Sequence, residues 1–338
     1  MGDDSFLVKD GIRRYGRFAA RPETVNPLDE FAGLTRALRR LRLKEWIGFT
    51  LIHQDWFSSL IMQDANYLAS SEIYGYDRAR DVLHQQAANA MGGSLRLPER
   101  LPGGHPRFAR PGYELEYDFS ADGKTLTLRL DIAASANAPA FQGELTLHGD
   151  RASRPLSVSA RLPGGKLYTH KAVFPAEGVL RVAGEAIVFD PRRDLAILDE
   201  HKSFLPYRTA WLWGTFAFQA GDSGPAGANF IHRPASPAGQ EDESCIWTPG
   251  ACEPLSDVAF GQESQSPLSP WSVSSADGRL DVTFTPEGRK DVRHQLGLFA
   301  IDYFQLFGHY QGTLRGLDGT PYPVDAAHGV CESFRARL

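Results

Sequence analysis

What this 338-residue sequence lacks narrows its chemistry before any motif is considered. Cysteine is scarce: Cys245, Cys252 and Cys331 make an odd set of three without CxxC spacing. That removes the paired-thiolate zinc sites and a disulfide scaffold. Cys245 and Cys252 flank a short loop and could pair in an oxidising compartment; free thiols in a reducing one are the expectation. No apolar run reaches the roughly 20 residues that cross a bilayer as a helix, so no transmembrane segment is expected. The opening MGDDSFLVKDGIRRYGRF is acidic first and has no apolar stretch, so it does not read as a secretory signal and a cytoplasmic protein is expected. Positive charge is not in excess: the net charge of -5 and pI near 6.1 give no electrostatic case for nucleic acid or an anionic membrane as partner. Also missing are GxGxxG after a strand, a Walker loop, HExxH and GxSxG. NAD, ATP and zinc have no support, no cofactor is expected, and any catalysis would use side chains alone.

Helical signal is thin as well. FAGLTRALRRLRLKEW (31–46) reads as one basic amphipathic helix, or as a helix in its first part with strand beginning near Leu43. Such a charged helix could meet an acidic partner, although a solvated face is the simpler reading. YDRARDVLHQQAANAM (76–91) has helical composition, with Gly92-Gly93 as its stop.

Strands dominate what is present. YELEYDFSADGKTLTLRLDIA places Asp122-Gly123 between alternating runs, and Asp318-Gly319 sits between two strands near the end; both predict hairpin tips. The region 219–270 is rich in Gly, Pro, Ser and Glu, with FIHRP and SDVAF as short strands inside it. It predicts long loops or an inter-domain connection. The expectation is a mainly β protein of two antiparallel barrel domains with one or two short helices, at residues 1–235 and 236–338.

LPYRTAWLWGTFAF (205–218) is the most informative stretch. At strand period one face carries Tyr207, Thr209, Trp211, Trp213 and Thr215, and the other Arg208, Leu212, Gly214, Phe216 and Phe218. Both faces are largely apolar, so each must touch either a protein layer or a ligand.

KEWIGFTLIHQDWFSSLIMQDANYLASSEIYGYD, LDEHKSFLPYRTAWLWGTFAF and FGHYQGTLRGLDGTPYPV fall in an order and spacing that resembles the family filed as domain of unknown function 2804. The block Tyr207 to Gly214 is its most specific part. That family is similar to two-domain lipocalin-like proteins that include AttH-like proteins, carotenoid hydratase and tocopherol cyclase. In those, an acidic residue and a His precede a Trp-rich strand; here Asp199, Glu200 and His201 stand in that place, followed by Ser203-Phe204 instead of Trp-Gly. The resemblance implies a lipocalin-like barrel in which Tyr207, Trp211 and Trp213 line a pocket for a large apolar or aromatic molecule. Read from the residues alone, the same rings could fill an ordinary core.

The polar candidates follow. His201, held by Asp199, could act near neutral pH, and Tyr207 offers a hydroxyl. Arg208 is the odd charge in an apolar strand and could anchor a substrate or pair with Asp64, which itself lies within an apolar run. His309 and Tyr310 face opposite ways in one strand, and Asp302 shares a face with Tyr310. His201, Tyr207, Asp302 and His309 form the candidate catalytic set, and Asp64, Arg208, Trp211, Trp213, Tyr303 and Tyr310 the candidate substrate-binding set. Two functions fit. One is a cofactor-free hydratase, dehydratase, isomerase or cyclase acting on a lipophilic, terpenoid-like or aromatic molecule. The other is a non-catalytic carrier of such a molecule. Perturbed ionisable groups at the pocket floor favour the enzyme.

Overall fold

The computed structural model describes residues 5–235, 243–264, 266, 268–297 and 299–337. Strands make up 63% and helix 6%, arranged as a nearly closed barrel sheet and a half-barrel sheet, both antiparallel. The chain separates into two compact units, the first holding residues up to 159 and Leu167–Phe204, the second Ala160–Lys166 and Leu205–Leu338. No helix among the described residues is long and apolar enough to cross a membrane.

The first unit is built from hairpins. Lys44–Ile52, Trp56–Asp64, Leu68–Asp77 and Val82–Met91 pair in succession. Arg107–Arg110, Tyr113–Phe119, Thr125–Ile132 and Phe141–His148 form a second meander that joins the long strand Gly165–Val182. Leu195–Ser203 closes the arrangement, pairing with Gly165–Val182 on one side and Lys44–Ile52 on the other. TLTLRLDI illustrates why: Leu126, Leu128, Leu130 and Ile132 alternate inward and are buried, while Arg129 points out to Glu116 and Glu144 at 3.2 and 2.8 Å. Each fully buried leucine contributes about 1.5–3 kcal/mol. Phe49, Leu60, Tyr117, Leu145 and Leu198 belong to the same core.

One expectation needs correction here. Residues 82–91 are strand rather than helix, an edge paired throughout with Leu68–Asp77. Ala and Gln are good helix formers, but tertiary context overrides propensity, and Ala88 and Ala90 pack on the barrel core at strand period. Gly92-Gly93, read as a helix stop, follows the strand end in a turn. In the basic segment the second of the two readings holds: Gly33–Arg40 is helical, and strand begins at Lys44.

The part of the second unit from Leu205 onward forms one nine-stranded sheet among its described residues. Ala251–Pro254, Cys245–Thr248, Pro225–His232 and Arg208–Gln219 lead to Pro321–Arg337. Phe299–Arg315, Leu280–Leu296, Trp271–Ser275 and Val258–Gln262 continue from there. The glycine- and proline-rich region 219–270 therefore contributes four strands of this sheet, and FIHRP and SDVAF each overlap one of them, Pro225–His232 and Val258–Gln262. The expected boundary at 235/236 lies inside the second unit, since Pro225–His232 pairs with Cys245–Thr248 across it. Residues 236–242 lie outside the described set. Phe216, Phe230, Phe284, Leu306, Tyr310 and Cys331 form the core of one face. All three cysteines are free thiols. Asp122-Gly123 and Asp318-Gly319 stand at hairpin tips, with Gly123 at φ 70° and Gly319 at φ 84°.

Candidate functional site

In the strand Arg208–Gln219 the alternation read from the sequence holds, and the two faces differ in kind. Phe216 belongs to the apolar core, with Leu212 and Phe218 packed against it. The opposite face carries Trp211, Trp213 and Thr215, and here polar partners converge. Trp213 pairs in register with Glu332, and Glu332 with Gln305; Trp211 pairs with Phe334, and Phe334 with Tyr303. Strand geometry thus sets these six side chains on one face in two adjacent rows.

Glu332 is the hub of that face. Its Oε1 accepts from the Trp211 indole at 2.9 Å, and its Oε2 accepts from the Tyr303 hydroxyl at 3.0 Å and the Gln305 amide at 3.1 Å. The Trp211 ring stacks on Phe334 at 4.1 Å, and Tyr303 meets Phe334 edge-on at 6.0 Å. Lys290, which pairs with Gln305, places its Nζ 5.9 Å from the Tyr303 ring centre. Trp213 is buried, its indole donating to Asn229 Oδ1 at 2.9 Å. Trp211, Tyr303 and Phe334 are only half-buried. A carboxylate that accepts from an indole, a phenol and an amide, with π-faces beside it, can take a proton or face a developing positive charge.

The other candidates fall elsewhere. Tyr310 is in the apolar core, its hydroxyl donating to the Val330 carbonyl at 2.6 Å. Asp302 is exposed and lies 3.3 Å from Arg293. His309 sits 2.9 Å from Glu287 Oε1, with both groups part-buried. Tyr207 and Arg208 are exposed where the strand begins. Glu332 and Gln305 were missed by sequence reasoning. The signal for Glu332 was a lone carboxylate in the apolar run GVCESF, and a single polar residue in a strand does not say which face it is on.

The first unit holds a second ionic assembly. Asp64, buried, accepts from the backbone amides of Asn66 at 2.5 Å and Gly93 at 2.9 Å, so it ties two turns together. Burial raises its carboxyl above the usual range despite those amides. His201 stacks on Trp46 at 4.2 Å, and its Nδ1 lies 2.7 Å from Ser203 Oγ. Asp199, expected to hold it, is instead 2.7 Å from Lys171 Nζ. His201 and Asp199 lie on the strand face opposite to Ala196, Leu198 and Glu200, because neighbours in a strand alternate.

Glu200, on the core face, is fully buried. Arg21 grips it with Nε at 2.6 Å and Nη2 at 2.7 Å, and donates further to the carbonyls of Pro22 and Glu99. Burial alone would raise the Glu200 carboxyl; Arg21 and Lys202 outweigh it and hold it below the usual carboxylate range. Lys202 in turn lies 3.1 Å from Glu45. His170 is opposite Glu200 in register. Burial pushes its imidazole down to about 4 against the opposing effect of Glu200, and its Nδ1 has no hydrogen-bond partner among the described residues. Ser58 Oγ and the Tyr117 hydroxyl are likewise unpartnered.

A family model described as domain of unknown function (DUF2804) matches residues 7–338. The chain belongs to that family. Among curated proteins none matches the sequence. The fold is similar to a solved structure described as CghA with Sch210972, at a TM-score of 0.51 and 13% identity over 88% of both chains. Kievitone hydratase from Nectria haematococca is similar at a TM-score of 0.48 and 11% identity, over 87% of this chain and 88% of the other. At 13% identity the likeness to the CghA structure speaks for the fold alone.

Proposed function

We propose that this protein is a cofactor-free acid/base enzyme of the hydratase, dehydratase or isomerase kind, acting on a lipophilic small molecule against the aromatic face of the second unit. One observation carries the reading: Glu332 is held by Trp211, Tyr303 and Gln305 among half-buried rings. Glu332, as carboxylate, removes a proton from a substrate carbon. The C–H electron pair becomes the new double bond, and a neighbouring hydroxyl leaves as water with a proton given by Lys290. The reverse sequence adds water. Trp211, Phe334 and Tyr303 stabilise positive charge that develops on the carbon skeleton. CghA, of similar fold, was crystallised with the small molecule Sch210972, which fits a ligand-handling role for this fold.

A carrier is the second reading, favoured by the unpartnered Ser58, Tyr117 and His170 atoms in the first unit. The two separate on a panel of lipophilic alkenes and alcohols, with gain or loss of water followed by mass spectrometry. Glu332→Gln should keep the shape of the side chain and lose about 10²- to 10⁴-fold in turnover. Undiminished turnover in Glu332→Gln would remove this site from the reaction. Absence of turnover by the unmodified protein, together with apolar-probe binding weakened by Tyr117→Phe, would favour the carrier.

A further inference from the structure

The helix Gly33–Arg40 gains nothing from the core of its own unit, since none of its residues is buried. Its N-cap, Ala32, makes no side-chain hydrogen bond. Isolated helices shorter than about 12–15 residues are marginal in water, so an eight-residue helix of this kind wants a surface to lie on. Its apolar residues point to such a surface. Leu34 and Leu38, with Leu41 just beyond the helix end, follow i, i+4, i+7 spacing and so share one side; they are 77%, 61% and 52% exposed.

The apolar area continues past the helix. Arg40 donates to Asn66 at 3.3 Å, and Lys44 lies 4.7 Å over the ring of Tyr67. Tyr67 is 48% exposed, its neighbour Leu68 47%, and Met91, paired with Leu68, 82%. Six large apolar side chains standing in water along one helix and the adjoining strand ends are more than scattered surface residues.

Charge selects the occupant. The segment 33–44 carries Arg36, Arg39, Arg40, Arg42 and Lys44 and no acid, in a chain whose net charge is -5. Asp29 pairs with Arg36 at 2.8 Å; Arg39 lies over the Phe31 ring, Arg40 donates to Asn66 and Lys44 lies over Tyr67, the last two also facing the buried Asp64. The overall acidity of the chain hides a local cationic strip. Protruding leucines bordered by arginine and lysine suit the boundary between acyl chains and anionic headgroups, where both kinds of group are accommodated at once.

We infer that the helix Gly33–Arg40 and the adjoining Tyr67, Leu68 and Met91 form a peripheral docking surface for an anionic lipid bilayer. The protein would settle there with Leu34, Leu38 and Leu41 in the headgroup boundary. This goes beyond the proposed chemistry and does not depend on it, although a lipophilic substrate would be concentrated at the same surface.

Co-sedimentation of the full chain with phosphatidylcholine vesicles containing phosphatidylserine, against vesicles of phosphatidylcholine alone, tests the inference. Binding to the anionic vesicles is expected, falling with added salt and weaker by about fivefold for each of Arg39→Gln and Arg42→Gln. Leu34→Ser with Leu38→Ser should weaken it by about tenfold or more. These residues are exposed, so the variants should fold normally, which circular dichroism would verify. A Leu38→Trp protein should show a blue-shifted emission on anionic vesicles. No binding, or binding indifferent to the leucine substitutions, would overturn the inference. So would dimerisation abolished by the leucine substitutions without vesicle binding, which would assign the patch to a second copy. Capture by an acidic polypeptide but not by vesicles would assign it to a protein partner instead.

Discussion

Glu200 in the first unit and Glu332 in the second are both carboxylates set into apolar strands, and their partners make them different objects. Glu200 is sealed: fully buried, gripped at two points by Arg21 and neighboured by Lys202 and His170. Its charge is committed to the fold. Glu332 accepts from an indole, a phenol and an amide, beside half-buried aromatic rings. These three donors orient the carboxylate through dipoles, where Arg21 holds Glu200 through an opposite charge. Charge density alone would have chosen the first cluster as the site; the identity of the partners chooses the second.

The largest expected effect sharpens this contrast. Glu200→Gln leaves Arg21 buried beside an amide, and breaking a buried pair by removing one partner costs about 3–5 kcal/mol. Glu332→Gln leaves the indole, phenol and amide in place to re-pair and should cost about 1–2 kcal/mol. Urea denaturation of both variants measures the difference. Equal losses would dissolve the distinction between a structural and a functional carboxylate.

The pH dependence of stability comes next. His170 in the folded protein is held at about 4, below the ordinary histidine value of 6.5. The unfolded chain therefore takes up a proton at a pH where the folded one does not. Stability from this group is complete above about pH 6.5 and declines as pH falls toward 4, by about 3 kcal/mol at most, since each unit is worth about 1.4 kcal/mol. Denaturation midpoints at stepped pH should fall across that window in the unmodified protein. In His170→Gln they should fall by visibly less. A variant with an unchanged slope would show that His170 reaches water or a partner.

Tyr303→Phe is a smaller perturbation on the other side of the comparison. It removes the phenol donor to Glu332 and keeps the ring against Phe334. A loss of about 1 kcal/mol in stability is expected, because the Trp211 and Gln305 donors remain. If turnover is established, its pH profile should shift as the carboxylate loses a hydrogen bond. A Tyr303→Phe protein with an unmoved profile would mean that Glu332 is not the titrating group.

How far the sequence revealed all this depends on the range of the interaction. The two-faced strand at Trp211 and Trp213 was legible because period-two alternation is local, and so were the Asp-Gly hairpins. Val82–Met91 was misread because its Ala and Gln content suits a helix, while the deciding interaction is pairing with Leu68–Asp77. Region 219–270 looked like a linker because its strands are short and separated by Gly and Pro; their pairing partners, not their composition, make them strands. The hub was hidden for a related reason. Glu332 meets Trp211 across 121 positions and Tyr303 across 29, and Glu200 meets Arg21 across 179. Nothing in DEHK marks Glu200 rather than His201 as the core-facing group, since a register shift of one residue exchanges their faces.

The smallest prediction compares the two units where they should not differ. Each has an Asp-Gly hairpin tip closed in the same way. Asp122 Oδ1 accepts from the Lys124 amide at 3.0 Å, and Asp318 Oδ1 from the Thr320 amide at 2.9 Å. The glycine in each has positive φ, and a Cβ built there would meet no atom within 4 Å. Gly123→Ala and Gly319→Ala therefore pay only for the left-handed backbone, about 1 kcal/mol each, without any clash. Gly→Asn at either tip should recover part of that loss, because asparagine tolerates this region. Contrast Gly214, where a Cβ would come 2.5 Å from the Phe230 ring and 2.7 Å from the Tyr310 hydroxyl, so Gly214→Ala should cost more than either tip. Thermal unfolding of the alanine variants should give matching small shifts for Gly123 and Gly319. If one tip costs several times the other, its turn is coupled to the packing of its unit, and the local reading of that hairpin fails.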